Sequence, residues 1–269
     1  MKKGGRTTLG FTIVETLIVL AVTGILFASV ATMISGRQDK TQFSQATNEI
    51  STQISQVIGE VSQGYYPNIG STSCSASGGT LNFGTGGVQG QNRGCIFLGK
   101  VIQFGVAGTD PEQFITYSLA GCQHKDCGAA GTPEASTLSE ARPVVIPSSS
   151  ETSILQYGLS VKWMKYDGHE TRGVGFLQSL GSYSGCTGLC SGSSQAALFG
   201  IHAGDTGDIS AADMLAKLNM GHGANIVPAS QVQVCFLSGT TSQSALVTIG
   251  GSGRQLSVTL AIKNGDNCS

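Results

Sequence analysis

Charge is what this sequence has least of. Only 12% of its 269 residues are Asp, Glu, Lys or Arg, and the net charge is −1. That balance excludes a generally basic nucleic-acid binder, though not a local basic patch. The signatures of catalysis are missing too. There is no Gly-x-Ser-x-Gly elbow, and Gly84-Thr85-Gly86-Gly87 lacks the spacing of a dinucleotide loop. Gly94-x4-Gly99-Lys100 comes close to a phosphate-binding loop. However, Val101 stands where a Ser or Thr would hold magnesium, and no βα unit follows. His124, His169, His202 and His222 share no catalytic spacing. An enzyme is therefore not expected, and neither is a cofactor. What the chain has in plenty is glycine, 39 residues, with many Ser and Thr. Low charge with that composition favours a β-rich exported domain full of turns.

Near the amino terminus the lack of charge coincides with a long apolar run. From Phe11 to Ile34 the only charged residue is Glu15. Such a run spans about 36 Å as a helix, more than a bilayer core needs. Lys2, Lys3 and Arg6 precede it, whereas Arg37, Asp39 and Lys40 follow with less net positive charge, so the amino terminus is expected on the cytoplasmic side. An ordinary secretory signal would be cut after its apolar region. There Ser35-Gly36-Arg37 makes a poor site. A plain anchor would have no use for Glu15, whose charge costs roughly 2.5–3.5 kcal/mol in a membrane helix. An ionisable group at that depth calls for a function and a partner.

Gly10, Phe11 directly after it, Glu15 at the fifth position after the glycine, and the apolar helix that follows resemble the class III signal of type IV pilins and pseudopilins. The resemblance implies cleavage after Gly10 by a prepilin peptidase and N-methylation of Phe11 by the same enzyme. It also implies a role for Glu15 in methylation and assembly. The new Phe11 amine would be a buried cation, and Glu15 of one subunit would meet the amine of the next. Such a pair is tolerable only while both partners are present. The partners implied are other pilin subunits joined helix to helix, the peptidase, an inner-membrane assembly platform, and the membrane before assembly. Many family members have a proline about two turns after the glycine that matches Gly24, where this chain has Thr32. The motif says little about the rest of the chain.

Past the apolar run, Phe43, Ile50, Ile54, Val57, Ile58 and Val61 fall on one stripe of a 3.6-residue helix. Residues 35–64 therefore read as the amphipathic continuation of the helix, ended by Gly64 and Pro67. Residues 65–269 read as a β-rich globular domain. Within it, 68–94 is expected to be loop. Strands are expected at 96–104, 114–119, 154–166 with a hairpin partner at 172–180, 197–201, 231–237, 244–249 and 255–262. Asp167-Gly168 is a hairpin turn signal. Residues 120–153 read as an irregular insertion, and 208–218 as a short helix in which Ser210 and Asp213 form a capping-box variant. The last three strands form an antiparallel meander, and their turn at Gly251 and Arg254 is loosely similar to that of minor pseudopilins.

All eight cysteines lie beyond the apolar run: Cys74, Cys95, Cys122, Cys127, Cys186, Cys190, Cys235 and Cys268. On the exported side they are expected as four disulfides. The pairing 74–95, 122–127, 186–190 and 235–268 is one of many that eight cysteines allow. Cys122-x-His124-x2-Cys127 with Cys186 and Cys190 could hold zinc, but zinc needs free thiolates. Asp205, Asp208 and Asp213 with Gly204 and Gly207 lack the spacing of an EF-hand, so no metal site is expected. Lys162, Lys165 and Arg172 read as solvated hairpin charges.

The fold class expected is α+β: a long amino-terminal helix, half transmembrane and half amphipathic, packed on an antiparallel sheet with disulfide-stapled loops. Residues 1–10 would be the leader and 11–34 the membrane helix. The function expected is a structural subunit, a minor pilin rather than a major one. The alternatives are a pseudopilin of a type II secretion system, or a filament-tip adhesin or DNA-uptake pilin. It would reside first as a single-pass inner-membrane protein with its carboxyl-terminal domain outside, and then in an extracellular filament.

Overall fold

One helix, α1 (Ile13–Ser62), runs through the amino-terminal quarter of the chain. The computed structural model describes residues 12–64, 72–85, 94–105, 112–178, 196–202, 209–220, 223–250, 256–265 and 268. The chain divides into two units, Met1–Gln42 and Phe43–Ser269. In the first, Ile13–Val30 has a mean hydropathy of 2.3, none of it is buried, and it is long and apolar enough to cross a membrane. No proline interrupts it.

In the second unit, the same helix becomes one-sided. Phe43, Ala46, Ile50, Ile54 and Val61 are buried, and Val57 and Ile58 pack against the same core. Between them Gln45, Asn48, Thr52, Ser55 and Gln56 face solvent. Each large buried side chain contributes about 1.5–3 kcal/mol, so the stripe holds this stretch helical through its packing. The helix closes at Gly64, which has φ 67°, and whose N–H donates to the carbonyl of Val61 at 3.0 Å.

The rest of the second unit is mostly antiparallel β structure. The strands are β1 (Thr72–Ser77), β2 (Thr80–Thr85), β3 (Cys95–Phe104), β4 (Gln113–Cys122), β5 (Val144–Val145), β6 (Glu151–Ile154) and β7 (Leu159–Tyr166). They continue as β8 (His169–Glu170), β9 (Gly173–Gln178), β10 (Ala196–Ile201), β11 (Ile226–Pro228), β12 (Gln231–Ser238), β13 (Gln243–Gly250) and β14 (Ser257–Asn264). Two short helices, α2 (Leu138–Ala141) and α3 (Ala211–Asn219), lie between them. A wide sheet has the order β11-β10-β9-β3-β4-β5, with β6 also on β4. A narrow sheet has the order β14-β13-β12-β7-β8.

The wide sheet is covered on both faces. One face shares a core with α1 and the narrow sheet, through Phe97, Ile102, Phe104, Val174, Phe176 and Leu198. The other carries Leu98, Val101, Tyr117, Leu177 and Phe199 under Leu138 and Ala141 of α2 and Met214 and Leu218 of α3. Its strands are accordingly apolar almost continuously. The narrow sheet alternates instead: Val232, Val234 and Phe236 are buried beside half-exposed Gln233.

Three expectations are corrected. Residues 68–94 are not all loop, because β1 and β2 pair around a Gly78-Gly79 turn with φ of 61° and 80°. Their Ser- and Thr-rich composition leaves only Cys74 and Ala76 in β1 and Leu81 and Phe83 in β2 as a short apolar alternation. The stretch 154–166 is not one strand. Tyr157 and Gly158, with φ of 56° and 67°, break it, so that Ile154 belongs to the wide sheet and Leu159–Tyr166 to the narrow one. Nor do residues 172–180 complete a hairpin with it. Only β8 pairs back on β7, after which the chain crosses over and β9 lies between β3 and β10. The segment of β9 is buried on both faces and fits only the middle of the covered sheet. The final meander β12-β13-β14 stands as expected. So does the start of α3, where Ser210 Oγ accepts from the Asp213 N–H at 3.1 Å and donates to its carboxylate at 2.7 Å.

Candidate functional site

The amino-terminal turn of α1 holds the residue that the sequence marks most sharply. Gly10 and Phe11 lie outside the described residues. Glu15 sits in the first turn, exposed. Its N–H donates to Thr12 Oγ1 at 3.3 Å and to the Thr12 carbonyl at 3.1 Å. Thr12-x-x-Glu15 is a capping-box spacing, a signal that the search for an isolated charge passed over. An acid in this turn is also favoured by the helix dipole. The carboxylate thus has a local reason to stand here in addition to any partner.

The other polar groups of the apolar half are satisfied within the helix. Thr16 Oγ1 donates to the Ile13 carbonyl at 2.8 Å. Thr23 Oγ1 does so to Val19 at 2.8 Å, and Ser29 Oγ to Leu26 at 2.8 Å. A hydroxyl bonded back to its own helix enters a membrane at little cost. Glu15 has no such solution, which makes it the one polar side chain of Ile13–Val30 that needs something from outside the helix.

At the far end of α1 the helix is held by charge as well as packing. Lys100 Nζ on β3, nearly buried, meets Glu60 Oε2 at 2.5 Å. Gln56 Nε2 donates to Glu60 Oε1 at 2.9 Å, and Gln178 Nε2 to the Val61 carbonyl at 3.2 Å. Burial pushes the Glu60 carboxyl up. The Lys100 hydrogen bond and charge, with the Gln56 amide, outweigh it and leave the group below its ordinary value. The near-match to a phosphate loop is thereby explained. Gly99 is a strand residue at a bulge opposite β4, and Lys100 is spent on Glu60.

Disulfides staple the domain. Cys74 is bonded to Cys95, Cys122 to Cys127 and Cys235 to Cys268, with Cα separations of 6.2, 5.0 and 5.8 Å. The first ties the β1–β2 hairpin to β3, and the last ties the chain end to β12. Cys186 and Cys190 lie outside the described residues. With Cys122 and Cys127 bonded to each other, their thiolates are not available to zinc. His124 Nδ1 instead lies 3.0 Å from the Thr132 carbonyl. Asp205 and Asp208 fall outside the described residues, and Asp213 caps α3. Among the described residues, no group of three or more His, Cys, Asp or Glu is placed to hold a metal.

Two carboxylates act as anchors, one joining segments 63 residues apart and one within the 120–153 insertion. Asp167, in the β7–β8 turn, accepts from the Ser230 N–H at 3.0 Å, the Ser230 hydroxyl at 2.5 Å and the Gln231 N–H at 2.9 Å. Burial raises this carboxyl, but those donors and the charge of His169 prevail and hold it low. In the insertion, Glu140 meets Lys125 at 2.9 Å and accepts from the N–H and hydroxyl of Ser136. Lys125 above all, then Ser136, lower its carboxyl to about 2. Lys165 is not a free hairpin charge, since its ammonium sits 5.2 Å from the centre of the Trp163 ring. Comparison with protein-family models, curated proteins and solved structures returns no match for this chain.

Proposed function

We propose that this chain is a type IV pilin-like structural subunit. It is cut after Gly10, methylated at Phe11, and assembled into a filament through its amino-terminal helix, as a minor pilin. One observation supports this above others. The Gly10-Phe11-x3-Glu15 sequence opens directly onto a helix whose first half is apolar and exposed and whose second half is the core of a folded domain. A cleaved signal would have no need for the second half, and a simple tether would need Glu15 for nothing beyond the capping of its first turn.

In this reading the folded domain is displayed outside the inner membrane, where its disulfides persist. The Phe11 amine created by cleavage is the counter-charge for Glu15 of a neighbouring subunit, and the pair sets the axial register of adjacent helices. The protein is then the substrate of an enzyme rather than an enzyme itself. Mass spectrometry of the mature protein tests this. The expected amino terminus is N-methylated Phe11, and any other terminus overturns the reading. With Glu15→Ala, cleavage is expected to persist while incorporation into filaments fails. Normal incorporation would sink the charge pair.

A further inference from the structure

Strand β14 ends the narrow sheet. It pairs with β13 on one side, and among the described residues no strand lies on its other side. Among the described residues the edge it offers is guarded only by Lys263. It is eight residues long, keeps an unbroken register with β13, has no proline, and carries one charge, Lys263. Soluble proteins ordinarily protect such an edge with charges, prolines, bulges or shortness. The core-facing row of β14 is also unfinished. Val258 and Leu260 pack on the core but are only half-buried, and Ile262 in the same row is 40% exposed.

We infer that the free edge of β14 is a docking edge for β14 of a second copy of this chain, so that two narrow sheets join into one. What identifies the occupant is the strand's own pattern, which is self-complementary about Leu260. In an antiparallel pair, residues directly opposite share a face. Centred on Leu260, such a pair sets Leu260 against Leu260, Val258 against Ile262, Thr259 against Ala261 and Ser257 against Lys263. Val258, Leu260 and Ile262 each meet an apolar residue, Asn264 falls opposite Leu256 at the end of the pair, and every outward residue meets an outward one. The two lysines stand opposite serines, so no like charges face each other. A shift of one residue in the sum of paired positions would set the apolar row against the polar row. A two-fold axis perpendicular to the sheet keeps both core-facing rows in one layer, which is the isologous contact expected of a homodimer. This inference stands independently of the pilin reading.

Sedimentation equilibrium of the full chain in detergent micelles tests it. The wild type is expected at the mass of two chains. Ile262→Lys places a charge opposite Val258 on a side chain already exposed, and is expected to halve the mass while leaving the far-ultraviolet circular dichroism of the folded chain in place. The same variant controls for association through the apolar helix, which it does not touch. Leu260→Cys is expected to form a covalent dimer on mild oxidation, because the two-fold pairing sets the new thiols face to face. A monomeric wild type, an Ile262→Lys chain that still dimerises, or a dimer whose Leu260→Cys form does not cross-link overturns the inference.

Discussion

The two halves of α1 have the same backbone and opposite designs. Over Ile13–Val30 apolar side chains cover every side, none is buried, and Ile13 and Phe27 are 81% and 82% exposed. Over residues 43–61 the apolar side chains form one stripe, and Ile54 and Val61 are completely buried. A helix apolar all round needs an apolar surrounding, whereas a striped helix needs a single apolar wall. The first half is thus suited to lipid or to other helices, and the second to this chain's own β domain. Glu15 and Glu60 sharpen the contrast. Each is an acid on the helix, but among the described residues only Glu60 of the two meets a cation, Lys100.

The comparison breaks most visibly at Ile54. Ile54→Ala leaves a cavity in the shared core and is expected to cost about 2–5 kcal/mol of unfolding free energy, read by urea denaturation. Leu20→Ala, in the apolar half, should leave the same curve in place. The converse pair probes the membrane. Leu20→Arg should cost roughly 2.5–3.5 kcal/mol of insertion, read as loss of the protein from the carbonate-washed membrane fraction. Gln53→Arg, on the solvent side of the second half, should leave that fraction unchanged. If Leu20→Arg inserts as well as the wild type, the apolar half is not a membrane segment.

The contrast between the halves was legible because a helix repeats its pattern over many residues. Phe43 to Val61 state the stripe several times, and the gap between Glu15 and Arg37 states the apolar run without ambiguity. The narrow sheet was legible for a similar reason, since Val232, Val234 and Phe236 alternate. The pairing of the wide sheet was not. Its strands are buried on both faces, so their sequences name no neighbour, and the crossing from β8 to β9 looks locally like a hairpin. The β1–β2 pair was hidden by its Ser- and Thr-rich composition, in which Leu81 and Phe83 are its only large apolar residues. At the candidate site, Glu15 stood out as a lone charge. Thr12 did not, although its spacing to Glu15 was there to see. Lys100 and Glu60 lie too far apart in the chain for any local pattern to join them.

The Lys100–Glu60 pair comes next in expected effect. Lys100→Met removes the cation and leaves a partly buried carboxylate, at a cost of roughly 1.5–3 kcal/mol near neutral pH. Glu60 sits below its unfolded value of 4.5 in the folded protein. Its contribution is therefore complete above 4.5 and is lost as pH falls through the lower, folded value. The difference in stability between wild type and Lys100→Met should shrink in acid. A difference that stays constant from neutral pH to acid would show that packing, not charge, holds the end of α1 to β3.

The smallest effect is expected at the second ion pair, and it separates a surface pair from a buried one. Lys125 and Glu140 meet at 2.9 Å with side chains 51% and 21% exposed, against 9% for Lys100 and 25% for Glu60, so the two pairs differ in the burial of their lysines. Glu140 titrates near 4.5 when unfolded and at about 2 when folded. Between those values the unfolded chain takes up the proton first, so stability contributed above 4.5 is lost as pH falls toward 2. Glu140→Gln should remove that contribution, a small loss at neutral pH as is usual for exposed pairs, and its gap to the wild type should close as pH falls toward 2. Salt should reproduce the variant, because it screens a surface pair while a buried one keeps most of its strength. Urea curves at pH 3 and pH 7, each with and without added salt, give the outcome. If salt weakens Lys100–Glu60 as much as Lys125–Glu140, then the end of α1 is wetter than its packing implies.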